Sequence, residues 1–141
     1  MNYVFNTTEL KRYRFPTHIN DLVMDRSQAA ASEVFVVIIE PGKAPPLHIH
    51  DDTEQIFFVL EGAGRLEIGK DGDEFAVKPG DVVRIPPSTW HAIHCESATP
   101  LRYVAVDCFP GGRPTAEPTW ESHVQVVCDG MGWDFDEVVE D

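Results

Sequence analysis

The chain has 141 residues, which is the length of one globular domain and enough to bury a core without disulfides or a structural metal. Eleven basic residues against twenty-four acidic ones give a formal net charge of −13, and such a surface repels phosphate backbones and anionic lipids. The composition therefore argues against nucleic acid and membrane partners. It leaves a small-molecule substrate or ligand as the expected partner.

Targeting and redox features are equally sparse. The N-terminal residues MNYVFNTTELKRYRF lack the apolar core of a signal peptide, and the longest apolar run, Val34 to Ile39, is too short to cross a bilayer. We therefore expect a cytoplasmic protein. The three cysteines, Cys95, Cys108 and Cys128, are odd in number and widely spaced, so they predict small buried side chains and neither a disulfide framework nor a cysteine metal site.

Short apolar segments bounded by turn residues follow one another along most of the chain, and none carries a long helical period. Their even spacing favours a closed antiparallel architecture. We predict an all-β fold, a jelly-roll barrel, as a single domain over residues 1–141 with its core at about 32–109. One or two outer strands and a loop are expected before residue 30, and the core strands are predicted within 32–40, 54–62, 64–69, 73–80, 81–87, 88–97 and 101–109.

The C-terminal part is less regular. Residues 110–118 are rich in Gly and Pro and predict a surface connection. Beyond them, SHVQVV at 122–127 is predicted to form another strand. The acidic segment DFDEVVED at 134–141 is expected to stay solvated.

Three histidines carry the strongest chemical signal. His48 and His50 are two residues apart in an extended segment, so their side chains leave the same face and reach one point. His91 opens a later strand directly after the turn Pro86-Pro87-Ser88, which delivers its ring to a strand end. This pattern suits a metal ion held at the mouth of a barrel.

At these residues the chain resembles the cupin family, whose two motifs are G-x5-H-x-H-x(3 or 4)-E-x6-G and G-x5-P-x-G-x2-H-x3-N. Ser88 stands in place of the second motif's second glycine, and Cys95 stands in place of its asparagine. The resemblance implies a jelly-roll barrel, one divalent transition metal ion per chain (Fe, Mn, Ni, Co, Cu or Zn) and, together with the sheet edges left by the extensions, a homodimer. The matched motif positions are Gly42, His48, His50, Gly62, Gly80, Pro86 and His91.

The motif's acidic ligand has two candidates here. The six-residue gap before Gly62 favours Gln55, whereas a three-residue gap after His50 places Glu54 there instead. With Gln55 the ligand set is neutral, so a bound dication would attract an anionic or enediolate-forming ligand. With Glu54 the set would be three histidines and one carboxylate. Spacing favours Gln55.

We therefore predict a metal-dependent cupin that catalyses Lewis-acid-assisted isomerisation or rearrangement of a small sugar or sugar acid. A dioxygenase and a non-catalytic ligand-binding module are the alternatives. Glu54, Tyr103 and Arg84 are the candidate catalytic residues, with Asp107 on the same barrel wall as Tyr103.

Two further sets of residues are given ordinary structural interpretations. The first comprises histidines expected to be surface or core residues, namely His18, His94 and His123. The second comprises aromatic side chains expected in the barrel core, namely Phe57, Phe58, Phe75, Trp90 and Tyr103.

Overall fold

The computed structural model describes residues 2–140, so Asp141 of the acidic C-terminal segment lies outside the described part. The described chain forms two antiparallel sheets followed by two helices. The strands are β1 (Lys11–Arg14), β2 (Ile19–Met24), β3 (Ser32–Ile39), β4 (Glu54–Glu61), β5 (Gly64–Ile68), β6 (Asp73–Val77), β7 (Val82–Ile85), β8 (His91–Cys95) and β9 (Leu101–Cys108). The six-stranded sheet has the order β1-β2-β3-β9-β4-β7, and the three-stranded sheet has the order β6-β5-β8.

This architecture is the predicted jelly-roll barrel, and each predicted core strand is present. The reason is the alternation of side chains along the strands, which turns one face of each sheet inward. In β9, for example, Leu101, Tyr103, Ala105 and Asp107 are buried, while the residues between them are partly exposed.

Three central strands place polar side chains in one row at the same end of the barrel. In the strand pairing, Asp107 of β9 lies opposite Glu33 of β3 on one side and opposite Gln55 of β4 on the other. All three side chains are buried. Register alone therefore brings two carboxyl groups and an amide together inside an otherwise apolar core.

The predicted strand at residues 122–127 is wrong. This segment belongs to helix α1 (Trp120–Met131), whose buried side chains Trp120, Val124 and Cys128 recur at helical spacing. Thr119 caps the start of the helix in a capping box with Ser122, and a left-handed glycine ends it. The valine-rich letters VQVV suggested a strand, but burial of the helical face decided the conformation.

The acidic C-terminal segment is also less solvated than expected. It contains a short helix, α2 (Phe135–Val138), whose Val138 is buried, and Val139 forms a bridge with Tyr13 of β1. Burial of these apolar side chains explains why a segment with this many carboxylates is ordered against the barrel.

Two of the aromatic residues assigned to the core lie on the outer surface instead. Phe58 is 46% exposed and Phe75 is 54% exposed, whereas Phe57 and Tyr103 are buried as expected. Phe58 pairs with the exposed Val82 on the outer face of β4 and β7. The homodimer expected from the sequence stays a prediction, which light scattering can test. The exposed apolar pair Phe58 and Val82 is one surface through which two chains could associate.

None of the helices among residues 2–140 has the length and apolar character needed to span a bilayer.

Gly62 joins the two sheets and has a positive φ of 78°. A Cβ at this position would lie 2.8 Å from the Leu101 Cα and would also press on the Pro100 carbonyl oxygen. Gly72 has nearly the same φ, 76°, but a Cβ there would meet nothing within 4 Å. The two glycines thus form a matched pair that separates a backbone clash from the cost of φ alone.

We expect Gly72→Ala to lower the free energy of unfolding by about 1–2 kcal/mol, the cost of a left-handed residue. Gly62→Ala should cost a further 1–3 kcal/mol or so, because rigid backbone must shift to admit the methyl group. Urea denaturation of both variants measures the difference. Equal losses would contradict the close approach at Gly62.

Candidate metal centre and its cavity

The structure brings the three predicted histidines together. One ring nitrogen from each of His48, His50 and His91 lies within 4.8 Å of the other two. His48 reaches this point because its segment pairs with the start of β8: its N–H donates to the His91 carbonyl at 3.0 Å, and the His91 N–H donates back to the His48 carbonyl at 2.9 Å. Two backbone hydrogen bonds therefore fix the separation of these two rings.

Backbone carbonyls also set the orientation of two rings. Nδ1 of His48 lies 2.7 Å from the Pro46 carbonyl oxygen, and Nδ1 of His91 lies 2.9 Å from that of Thr89. With Nδ1–H donating to a carbonyl, Nε2 is left with its lone pair, which is how proteins orient histidine ligands. Nε2 of His91 is buried and has no hydrogen-bond partner among the described residues.

Burial keeps these imidazoles neutral. It lowers the pKa of His50 to about 3 and that of His91 to about 4, with the neighbouring imidazoles adding to the effect, and it lowers the pKa of His48 as well. At neutral pH the three lone pairs are therefore free to bind a cation instead of a proton.

The turn before His91 accounts for one departure from the cupin motif. Ser88 has a φ of 58°, the left-handed conformation that the motif's glycine would adopt without strain. Its N–H donates to the His50 carbonyl at 2.7 Å and its hydroxyl donates to Asp51 at 3.0 Å. These bonds tie the two histidine-bearing segments together and stabilise a conformation that serine alone disfavours.

Gln55 and Glu54 lie on opposite faces of β4. Gln55 is buried and lines the cavity, where its Nε2 donates to Asp107 Oδ1 at 2.8 Å. Its Oε1 is buried without a partner. Glu54 faces outward, and its carboxylate lies 3.3 Å from Arg84 of β7. Of the two candidates for the fourth ligand, Gln55 is thus the one whose side chain lines the cavity with the three histidines.

A buried ion pair lies beside Gln55. Arg26 donates from Nε and NH2 to the two carboxylate oxygens of Glu33, both at 2.8 Å, and from NH1 to the Glu117 carbonyl at 3.0 Å. The two side chains are 3% and 0% exposed. Asp107 lies next to this pair, and burial together with the Glu33 carboxylate raises its pKa well above the usual range.

A cavity of about 440 Å³ opens over the histidines, a size typical of small-molecule sites. Its polar end carries the three histidines, Gln55 and Asp107. Its other walls come from the inner faces of the strands, from α1 and from Trp133, two residues beyond the end of α1. The remaining lining residues are Phe15, His18, Asn20, Arg26, Phe35, Val37, Pro45, Pro46, Asp52, Thr53, Phe57, Ile93, Tyr103, Phe109, Glu117, Trp120, His123, Val124, Val126, Val127, Gly130, Met131 and Trp133.

The predicted catalytic residues are divided by the barrel wall. Tyr103 is buried and lines the cavity, but Glu54 and Arg84 pair with one another on the outer face. Strand alternation produces this division, because Arg84 lies opposite Ile56, which shares the face of Glu54 and not the face that Gln55 occupies.

Sequence reasoning missed two histidines of the cavity. His18 stacks on Phe15 with ring centroids 4.7 Å apart, and His123 lies 2.7 Å from the Glu117 carboxylate. Neither sits in a recognisable motif, and the second lies in the segment assigned to a strand. His94, by contrast, lies outside the cavity and contacts Glu67.

Comparison with known proteins agrees with this geometry. A sequence profile of the cupin domain matches residues 35–107, just over half of the 141 residues. The chain therefore belongs to the cupin family.

Two relatives match at the sequence level. The chain is 32% identical over 98 residues to a quercetin 2,3-dioxygenase of Bacillus subtilis, a match that covers 69% of this chain and 28% of that protein. It is 38% identical over 80 residues to an uncharacterised protein of Methanocaldococcus jannaschii, covering 57% of this chain and 62% of the relative. The chain thus spans less than two thirds of the length of either relative.

Solved structures share the fold at low sequence identity. A predicted oxalate decarboxylase from Thermotoga maritima has a TM-score of 0.67 and 21% identity, covering 75% of this chain and 98% of that one. A polyketide cyclase from Streptomyces resistomycificus has a TM-score of 0.66 and 24% identity, covering 82% and 85%. At these identities the likeness concerns the barrel only.

The lowered pKa of His91 predicts a pH-dependent stability of the metal-free protein. Between its folded pKa of about 4 and its ordinary value of 6.5, His91 binds a proton in the unfolded chain but not in the folded one. The free energy of unfolding should therefore fall as the pH is lowered from 6.5 towards 4, and this contribution is fully present above 6.5.

We expect His91→Gln to reduce the slope of the free energy of unfolding against pH by up to about 1.4 kcal/mol per pH unit. This value corresponds to one proton fewer taken up on unfolding. Urea denaturation at several pH values between 7 and 5, with a chelator present, measures the slope. An unchanged slope in the variant would contradict the burial of a neutral imidazole.

Proposed function

We propose that this protein is a metal-dependent enzyme that isomerises or rearranges a small, oxygen-bearing substrate. The observation that supports this most directly is the convergence of three neutral imidazoles in a cavity that admits a small molecule, a cavity that the buried Gln55 side chain also lines. The substrate suggested by the sequence, a sugar or sugar acid, is one candidate for it.

The residues present fit a divalent metal ion. His48, His50, His91 and Gln55 would hold it, because two of them present buried ligand atoms that lack any protein partner. Imidazole nitrogens and an amide oxygen can bind a divalent ion of Fe, Mn, Ni, Co, Cu or Zn. When bound, such an ion supplies a Lewis acid that polarises a carbonyl group and favours loss of a neighbouring proton.

Asp107 is placed to carry that proton. Its side chain lines the cavity next to Gln55, and burial together with the Glu33 carboxylate raises its pKa above that of an ordinary carboxyl group. A raised pKa makes a carboxyl group a better proton donor partner in general acid–base catalysis. Tyr103 has a raised pKa because of burial and the nearby Asp107, so it is a hydrogen-bond donor and not a base.

Asp107 also positions Gln55. Asp107 Oδ1 accepts the hydrogen bond from Nε2, so the amide is turned with Oε1 as the atom that has no partner among the described residues. An oxygen donor, unlike the amide nitrogen, has a lone pair for a cation. The orientation of one hydrogen bond therefore supports Gln55 as the fourth ligand.

A dioxygenase is the second candidate, and the 32% identity to a quercetin 2,3-dioxygenase favours it. The neutral donor set argues for the first candidate. An amide adds no negative charge to help a redox metal reach a higher oxidation state, whereas an uncompensated dication stabilises an enolate well.

The first prediction from this proposal concerns metal content. We expect about one divalent ion per chain and loss of most of it in His48→Ala or His91→Ala, with the fold retained because the core does not depend on the ion. Gln55→Leu should weaken metal affinity by about tenfold or more, a scale on which even outer partners of a metal act.

Glu54→Leu, on the opposite face of the same strand, is the matched control and should leave metal affinity unchanged. Elemental analysis and metal titration provide the readout, with circular dichroism to check the fold. Undiminished metal in both histidine variants would refute the site. If Glu54→Leu loses metal and Gln55→Leu does not, Glu54 and not Gln55 is the fourth ligand.

The second prediction concerns oxygen. Keto sugars, uronates and flavonols are assayed with the metal-loaded protein in air and under anaerobic conditions. We expect turnover without oxygen and solvent deuterium incorporated at a substrate carbon, because the proposed chemistry moves a proton and no electrons. Oxygen consumption coupled to product would establish the dioxygenase, and binding without turnover would establish a ligand-binding module.

A further inference from the structure

Away from the histidines, the cavity is largely apolar and aromatic. Helix α1 and Trp133, two residues beyond its end, contribute apolar lining side chains, among them Trp120 and Val127. Phe35 of β3 and Phe15, which directly follows β1, line the cavity from the six-stranded sheet, and the Phe35 and Trp120 rings lie 4.7 Å apart. Such walls bind flat apolar groups and give little to a sugar ring, whose hydroxyl groups need polar partners.

The part of the chain that the structure describes gives the cavity no free cationic Lys or Arg side chain for an acidic ligand. Arg26 is the single Lys or Arg among its described lining residues, and each of its three nitrogens already donates to Glu33 or to the Glu117 carbonyl. Its charge is balanced by the buried carboxylate of Glu33. A sugar acid would therefore depend on the proposed metal ion alone to balance its carboxylate, since a buried charge without a partner costs several kcal/mol in general.

Two polar atoms of residues that line the cavity have no hydrogen-bond partner among residues 2–140. Asn20 Oδ1 and Trp120 Nε1 are both buried in residues that line the cavity. The first accepts a hydrogen bond and the second donates one. Buried polar atoms without partners are rare in native structures, and a bound ligand that carries hydroxyl or carbonyl groups would satisfy them.

We propose that the ligand of this cavity is an aromatic enol or phenol of two or three rings. Its adjacent enol and carbonyl oxygens lie at the histidine end, and its rings pack against the apolar side chains with which the six-stranded sheet and α1 line the cavity. A further oxygen on the ring system meets Asn20 or Trp120. The histidine end of this inference rests on the proposed metal site, whereas the ring end does not.

Binding measurements test this class of ligand. The metal-loaded protein is titrated with 3-hydroxyflavone and with D-galacturonate by calorimetry, and we expect the flavone to bind at least about tenfold more tightly. Metal-free protein is titrated separately with unsubstituted flavone, which lacks the 3-hydroxyl group. Unsubstituted flavone should still bind and quench tryptophan emission, because Trp120 and Trp133 line the cavity.

Val127→Asp places a carboxylate among the apolar walls and should weaken 3-hydroxyflavone binding by about tenfold without changing metal content. Gln125→Asp, at an exposed position of the same helix, should leave binding unchanged. Val126→Asp, at the exposed rim of the cavity, repeats the test where the fold tolerates charge.

The inference is overturned if D-galacturonate binds as tightly as 3-hydroxyflavone, or if neither aspartate variant at the cavity weakens flavone binding. These outcomes are distinct from failure of the proposed function. Tight flavone binding without turnover would leave the ligand class standing and remove the enzymatic proposal. Turnover of a uronate without flavone binding would support the enzymatic proposal and remove the proposed ligand class.

Discussion

The buried ion pair between Arg26 and Glu33 is the constraint on which the polar end of the barrel depends. Two charges at 3% and 0% exposure lose almost all hydration, and only their bidentate contact offsets that cost. Removal of one partner from such a pair typically costs about 3–5 kcal/mol. Arg26 also donates to the Glu117 carbonyl, so the same guanidinium attaches the connection before α1 to the barrel.

The ion pair decides what the neighbouring groups can do. Burial and the Glu33 carboxylate raise the pKa of Asp107, and Asp107 in turn accepts a hydrogen bond from the Gln55 amide. Because Arg26 is neutralised, it leaves no free positive charge in the cavity. The positive charge at the proposed site would then come from a metal ion held by four neutral donors, inside a protein whose net charge is −13.

Strand positions and the histidine cluster were predictable because both follow from short-range periodicity. The two-residue spacing of His48 and His50 fixed a common face, and the turn at Ser88 fixed the approach of His91. Gln55 and Glu54 required the strand register, which the six residues to Gly62 favoured but did not determine. Their inward and outward directions are visible only in the pairing of β4 with β7 and β9.

The remaining part of the site depends on tertiary contacts that leave little local trace. Helix α1 was assigned to a strand because its valines outweighed the helical spacing of Trp120, Val124 and Cys128. With the helix misassigned, His123 and the aromatic walls of the cavity had no predicted location. Likewise, the partnership of Arg26 with Glu33 joins a loop to a strand, and no sequence period records such a contact.

A crystal structure of the metal-loaded protein tests the central claim, a neutral four-ligand site, most directly. We expect the ion to be bound by His48, His50 and His91, with Gln55 Oε1 about 2.0–2.2 Å from the ion, a normal distance between metal and oxygen. Glu54 would remain beside Arg84 on the outer face. A Glu54 carboxylate at that distance from the ion, with Gln55 turned elsewhere, would contradict it.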